Sequence, residues 1–179
     1  VNQRYTPYPG RLPEESGAIL PEDVVAETIA AYEKFPQKRF VSHFMQPHLP
    51  FLGEHGREMY KRVLNSPVKD EFLKDTRWGV GIQIWNATKH PDVDIDDENI
   101  KKAYIENLSI VLEYVKDISD VLSGKTVITS DHGQLFGERI LGKKRYGHPH
   151  DIHPLKLIEV PWLEINTQSR REIQKDPPV

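Results

Sequence analysis

The stretch Thr126-Val127-Ile128-Thr129-Ser130-Asp131-His132-Gly133 sets a carboxylate beside an imidazole at the end of an apolar run. A hard oxygen and a borderline nitrogen side by side suit a divalent metal, so Asp131 and His132 are candidate ligands. Gly133 frees the backbone behind them, and an Asp-His-Gly turn can equally do no more than close a strand. A second candidate is His48, set in Gln46-Pro47-His48-Leu49-Pro50-Phe51. Two prolines fix this loop and are expected to hold the imidazole extended between them. A polar residue in a proline-stiffened turn is the plainer reading. The third concentration is residues 134–150, rich in glycine, basic residues and histidine. Four of the chain's eight histidines fall between positions 132 and 153, which packing rarely requires.

The elements that must carry these residues follow from hydrophobic period and from helix signals. Thr126 to Ser130 reads as a short buried strand, because Val127 and Ile128 are flanked by β-branched threonines. Before it, Ile100, Tyr104, Leu108, Val111, Val115, Ile118 and Leu122 recur at steps of three and four. That spacing predicts a core-packed helix of about six turns, entered through the acidic run 92–98 and ended at Gly124. A helix delivered into a buried strand predicts an α/β fold, with helices packed on a largely parallel sheet. Pro21-Glu22-Asp23 starts another helix, which Phe35-Pro36 ends. Residues 39–45 read as a strand with His43 as a core histidine, and 159–165 as a last strand. Met59, Tyr60, Val63 and Leu64 suit a short helix, whereas residues 78–85 fit either a helix or a strand. Residues 134–150 are expected to wrap as a loop over the end of the site strand. Residues 1–20 form an irregular lead-in and 166–179 a polar tail, within one partial domain spanning 1–179.

Composition narrows the functional classes. A net charge of −3 over 179 residues argues against binding driven by neutralising nucleic-acid phosphates. The 37% apolar and 28% charged content describes a soluble globular chain. No run approaches the roughly 18 apolar residues of a membrane span. No cationic-then-apolar leader opens the chain, which leans towards the cytoplasm while leaving the compartment open. With no cysteine, disulfides and thiolate ligands are excluded. Val1 in place of a methionine points to a processed or truncated chain.

The order of these pieces resembles the carboxy-terminal half of the alkaline phosphatase superfamily, most closely its sulfatase-like branch. The resemblance rests on Pro47-His48-Leu49-Pro50-Phe51, the long helix, Ser130-Asp131-His132-Gly133 with Gly137-Glu138, the Gly-Lys and Gly-His loop, and Val160-Pro161-Trp162-Leu163. It covers most of residues 36–165. It implies a metal-dependent hydrolase of sulfate or phosphate esters, carried on small molecules or glycans. Asp131 and His132 would hold the ion (Mn, Zn, Ca or Mg), and His48 would bind the ester oxygens or protonate the leaving oxygen. Lys143 or Lys144 would neutralise the same oxyanion, and His148 would add a second ligand or an anion contact. The family's early strand with its own metal-binding aspartate has no counterpart here. Neither does its Ser, Thr or Cys nucleophile, since nothing reads Cys-x-Pro-Ser-Arg and Ser66-Pro67 stands in the wrong order. The isolated chain is therefore expected to be inactive or nearly so. A non-catalytic protein that keeps the fold to bind an anion or a partner is the alternative. Asn107 stands near where many sulfatases carry an aspartate, which predicts a weakened support for the site.

Overall fold

The computed structural model describes residues 19–72, 80–166 and 173. Six helices and four short strands lie in them. They are α1 (Pro21–Lys34), α2 (Glu54–Asn65), α3 (Lys69–Phe72), α4 (Val80–Ala87), α5 (Asp97–Val121), β1 (Lys125–Thr129), β2 (Leu135–Ile140), β3 (Lys143–Gly147), α6 (Leu155–Ile158) and β4 (Trp162–Asn166). The chain is thus mixed in helix and strand. Most of residues 1–20 and of 166–179 lie outside the described residues, as do 73–79.

Helix α5 is the spine. Asp96 caps it: its carboxylate accepts from the Asn99 N–H at 2.7 Å, while the Asn99 side chain reaches back to the Asp96 N–H at 3.5 Å. Asp97 and Glu98 add charge suited to the positive end of the helix dipole. Ile100, Ala103, Asn107, Val111 and Ile118 are its buried stripe, and Gly124, with φ of 101°, turns the chain into β1. Leu108, expected in that stripe, is 36% exposed. Around Ile100 and Ala103 packs the main core, with Phe51 ahead of α2, Met59 and Val63 on α2, Ile84 and Ala87 on α4, and Val93 and Ile95 before α5. Helix α1 begins at Pro21 and is capped by Phe35, as its sequence dictates. Residues 80–87 resolve to a helix. No helix among the described residues is long and apolar enough to cross a membrane.

The strands differ from expectation. Both pairings among the described residues are antiparallel, so no parallel sheet is present there. β1 pairs with β4, Lys125 facing Asn166 and Thr129 facing Trp162, because the chain returns through α6 instead of crossing over a helix. β1 is also half-exposed and not buried. Residues 134–150 are not a wrapping loop. β2 and β3 form a hairpin whose two-residue turn, Leu141-Gly142, has positive φ at both positions, 50° and 76°. That is the turn whose twist matches paired strands. A bulge at Gly137 interrupts the ladder. Residues 39–45 stay extended but enter no ladder among the described residues, and His43 lies on an exposed position and not in a core.

Candidate functional site

Three separate turns bring their histidines together. His148 follows β3. Its ring lies 4.1 Å from that of His132 and 5.2 Å from that of His48, with His150 at 6.3 Å, centroid to centroid. Asp131 adjoins the group, its Oδ2 standing 3.7 Å from His132 Nε2.

Each turn is fixed by its backbone. The His48 turn carries cis bonds at Gln46–Pro47 and Leu49–Pro50, and the His48 N–H donates to Met45 O at 3.1 Å. The segment therefore turns tightly where an extended run was expected. Asn107 on α5 ties it down. Its Nδ2 lies 3.1, 3.0 and 3.3 Å from the carbonyls of Pro47, His48 and Pro50, and its Oδ1 accepts from Leu52 N–H at 2.9 Å. The Asp131-His132 turn leaves β1 and is held where Gly133 N–H donates to Leu157 O at 2.9 Å, on α6. A Cβ at position 133 would collide with the Lys156 carbonyl oxygen, so only glycine allows this approach. The hairpin that delivers His148 docks through Phe136 on Tyr104, 4.8 Å between rings, and through Tyr146 on Trp85.

The electrostatics follow from this packing. Burial pushes the His148 imidazole below its ordinary pKa, and the rings of His132, His48 and His150 push it the same way. Burial, and then the Asp131 charge, raise the Tyr104 hydroxyl above its ordinary pKa. His132 Nδ1 stands 2.8 Å from Gly133 O and His48 Nδ1 3.2 Å from Leu49 O. A carbonyl only accepts, so Nδ1 carries the proton in each neutral ring and Nε2 keeps its lone pair. Gln134 Oε1 lies 3.4 Å from His148 Nδ1, while its buried Nε2 has no hydrogen-bond partner among the described residues.

The two lysines lie on β3. Lys144 pairs with Asp97, the first residue of α5, at 2.7 Å, and Tyr146 Oη donates to the same carboxylate at 2.6 Å. Burial alone would raise Asp97, yet these hydrogen bonds outweigh it and hold the carboxyl below the usual range. Lys143 pairs with Ile140 beside the hairpin turn. Asn107, expected to weaken the support of the site, is instead the residue that ties the His48 turn down, and sequence alone did not single out Gln134, whose amide oxygen reaches His148.

As metal donors, Asp131 and His132 fit as a pair. Each presents a lone pair, and two ligands about 2.1 Å from a tetrahedral ion stand roughly 3.4 Å apart, near the observed spacing. The Gly133 carbonyl fixes the tautomer that exposes Nε2, as outer-shell partners of metal-bound histidines do. No group of three or more such side chains is arranged to hold an ion among the described residues. Comparisons with family models, with curated proteins and with solved structures each find no match to this chain.

Proposed function

We propose that the chain is the carboxy-terminal part of a metal-dependent, sulfatase-like hydrolase of sulfate or phosphate esters. The observation that carries this reading is the convergence of His48 and His132, 84 positions apart in sequence, on one His148 ring with Asp131 alongside. In this reading Asp131 and His132 Nε2 hold a divalent ion. When bound, the ion supplies Lewis-acid neutralisation of the ester's oxygens. His48, with Nδ1 donating to Leu49 O, serves an ester oxygen or the leaving group only as the imidazolium, in which Nε2 carries the second proton and donates it. The orphan Gln134 amide is a further donor for the same oxyanion. Lys144 is committed to Asp97, which leaves Lys143 as the candidate cation for the oxyanion. Two protein ligands are half of an ordinary metal site. Turnover by this chain alone is accordingly at background, and the nucleophile comes from sequence outside it.

Titration calorimetry with Mn and with Zn tests the reading. The chain binds one ion, and Asp131→Ala with His132→Ala weakens binding at least tenfold, as expected for losing both donors. Binding that survives the double substitution unchanged overturns the assignment. So does the absence of binding by a chain whose circular dichroism shows it folded.

A further inference from the structure

Residues 39–45 have the side-chain pattern of a strand. Exposure alternates along them: Phe40, Ser42 and Phe44 are half-buried, whereas Arg39, Val41, His43 and Met45 face solvent. Val41 is 95% exposed. Across residues 41–44 no backbone N–H or carbonyl has a hydrogen-bond partner among the described residues. The segment is nevertheless held straight against α1, where Ser42 and Thr28 share a 2.9 Å hydrogen bond. Natural sheet edges are normally protected by charge, proline or a bulge, and residues 41–44 carry none of these. Beside them opens a groove of about 330 Å³ between α1 and the segment, walled by Val24, Ala31 and Phe40. Its α1 rim carries Asp23 and Glu27, neither of which has an ion-pair partner among the described residues.

From the unpaired backbone, the apolar wall and the acidic rim together, we infer that this face binds an extended peptide segment of another protein by strand addition. The segment adds its main chain to residues 41–44, drops alternate apolar side chains into the groove, and places Lys or Arg opposite Asp23 and Glu27. Main-chain hydrogen bonds supply affinity in this mode, and the pockets for alternate side chains supply selectivity. The two carboxylates set the sign of charge that the partner carries. None of this depends on the hydrolase reading, because the groove lies on α1 and contains no residue of the histidine cluster.

The test uses the whole chain and two short synthetic peptides, one alternating valine with lysine and the other valine with glutamate. Amide hydrogen exchange is read residue by residue, and affinity by fluorescence anisotropy. The lysine peptide slows exchange at residues 41–44 at least tenfold, and the glutamate peptide binds at least tenfold more weakly. Asp23→Lys with Glu27→Lys, both on the exposed rim, reverses that order. Val41→Pro, which removes one N–H at an exposed position, weakens the lysine peptide tenfold without changing the helical signal. Binding without protection of residues 41–44 overturns the inference, because it is then surface adsorption only. Protection already present in the free chain overturns it too: an internal segment is the occupant if that protection is independent of concentration, and a second copy if it grows with concentration. Indifference to the rim charges refutes the basic partner.

Discussion

Asn107 occupies a position on α5 that helical spacing assigns to an apolar side chain, and it is fully buried. An amide there is tolerable only because all of its polarity is used. Oδ1 accepts one N–H, and Nδ2 faces three carbonyls around the cis-proline turn. The residue therefore acts on the site through His48, whose own carbonyl is one of the three. Asn107→Ala leaves a buried N–H and three partly buried carbonyls short of a partner and is expected to cost about 3 kcal/mol in urea denaturation. Asn107→Asp is the sharper probe. It keeps the acceptor for Leu52 N–H but turns a carboxylate oxygen towards three carbonyls, so it should cost at least as much as alanine. It should also abolish the contact between the His48 and His148 rings, a loss that proton NMR cross-relaxation between the two rings would read. An aspartate variant as stable as the parent would show that the three carbonyl contacts contribute nothing.

At the scale of elements, the site depends on how β1's end is pinned to α6. Gly133 presses against the Lys156 carbonyl, and its N–H bonds the next residue's carbonyl. Gly133→Ala should cost about 2 kcal/mol through that clash and lower the melting temperature by several degrees. Asp131 and His132 move with the turn, so metal affinity should fall even though no ligand has changed. Full affinity in a destabilised Gly133→Ala chain would mean that the turn does not position the pair. The tie between the hairpin and α5 is softer. Asp97 and Lys144 are 38% and 48% exposed, so solvent screens the pair.

The parts legible in the sequence were those with local causes. Pro21 and Phe35-Pro36 bound α1, the acidic run 92–98 leads into α5, and Asp131-His132 announces itself as a pair. What was not legible depends on partners distant in sequence. Residues 39–45 have a strand's alternation, but a strand needs a neighbour, and none of the described residues supplies one. The helix-then-strand order suggested parallel pairing, which β4's return at β1's edge replaces. The hairpin was hidden because the Gly137 bulge breaks the alternation and β3 is largely basic. Once formed, its register sends Lys143 to the turn and Lys144 to Asp97, which no spacing argument could foresee.

For the molecule as a whole, the core is lopsided. It gathers around α2, α4 and the first half of α5, and no residue of β1 or β4 belongs to it. The β1–β4 ribbon presents Ile128, Leu163 and Ile165 on one face, with Leu163 55% exposed, while the Lys125–Glu164 pair occupies the other. Helix α5 adds Ile105, Leu108 and Leu112 as a second apolar stripe, 59%, 36% and 41% exposed. Two strands without a covered face are marginal by themselves. Amide exchange in β1 and β4 should therefore proceed by local opening, with free energies well below those of the buried turns of α5 and α2, which exchange only through global unfolding. Leu163→Lys supports the same point from the other side. Because the side chain is not packed into the core, the substitution should change global stability by no more than about 0.5 kcal/mol. If β1 and β4 instead exchange as slowly as α5, or if Leu163→Lys costs several kcal/mol, the ribbon is part of the cooperative core. The apolar face would then be covered in solution.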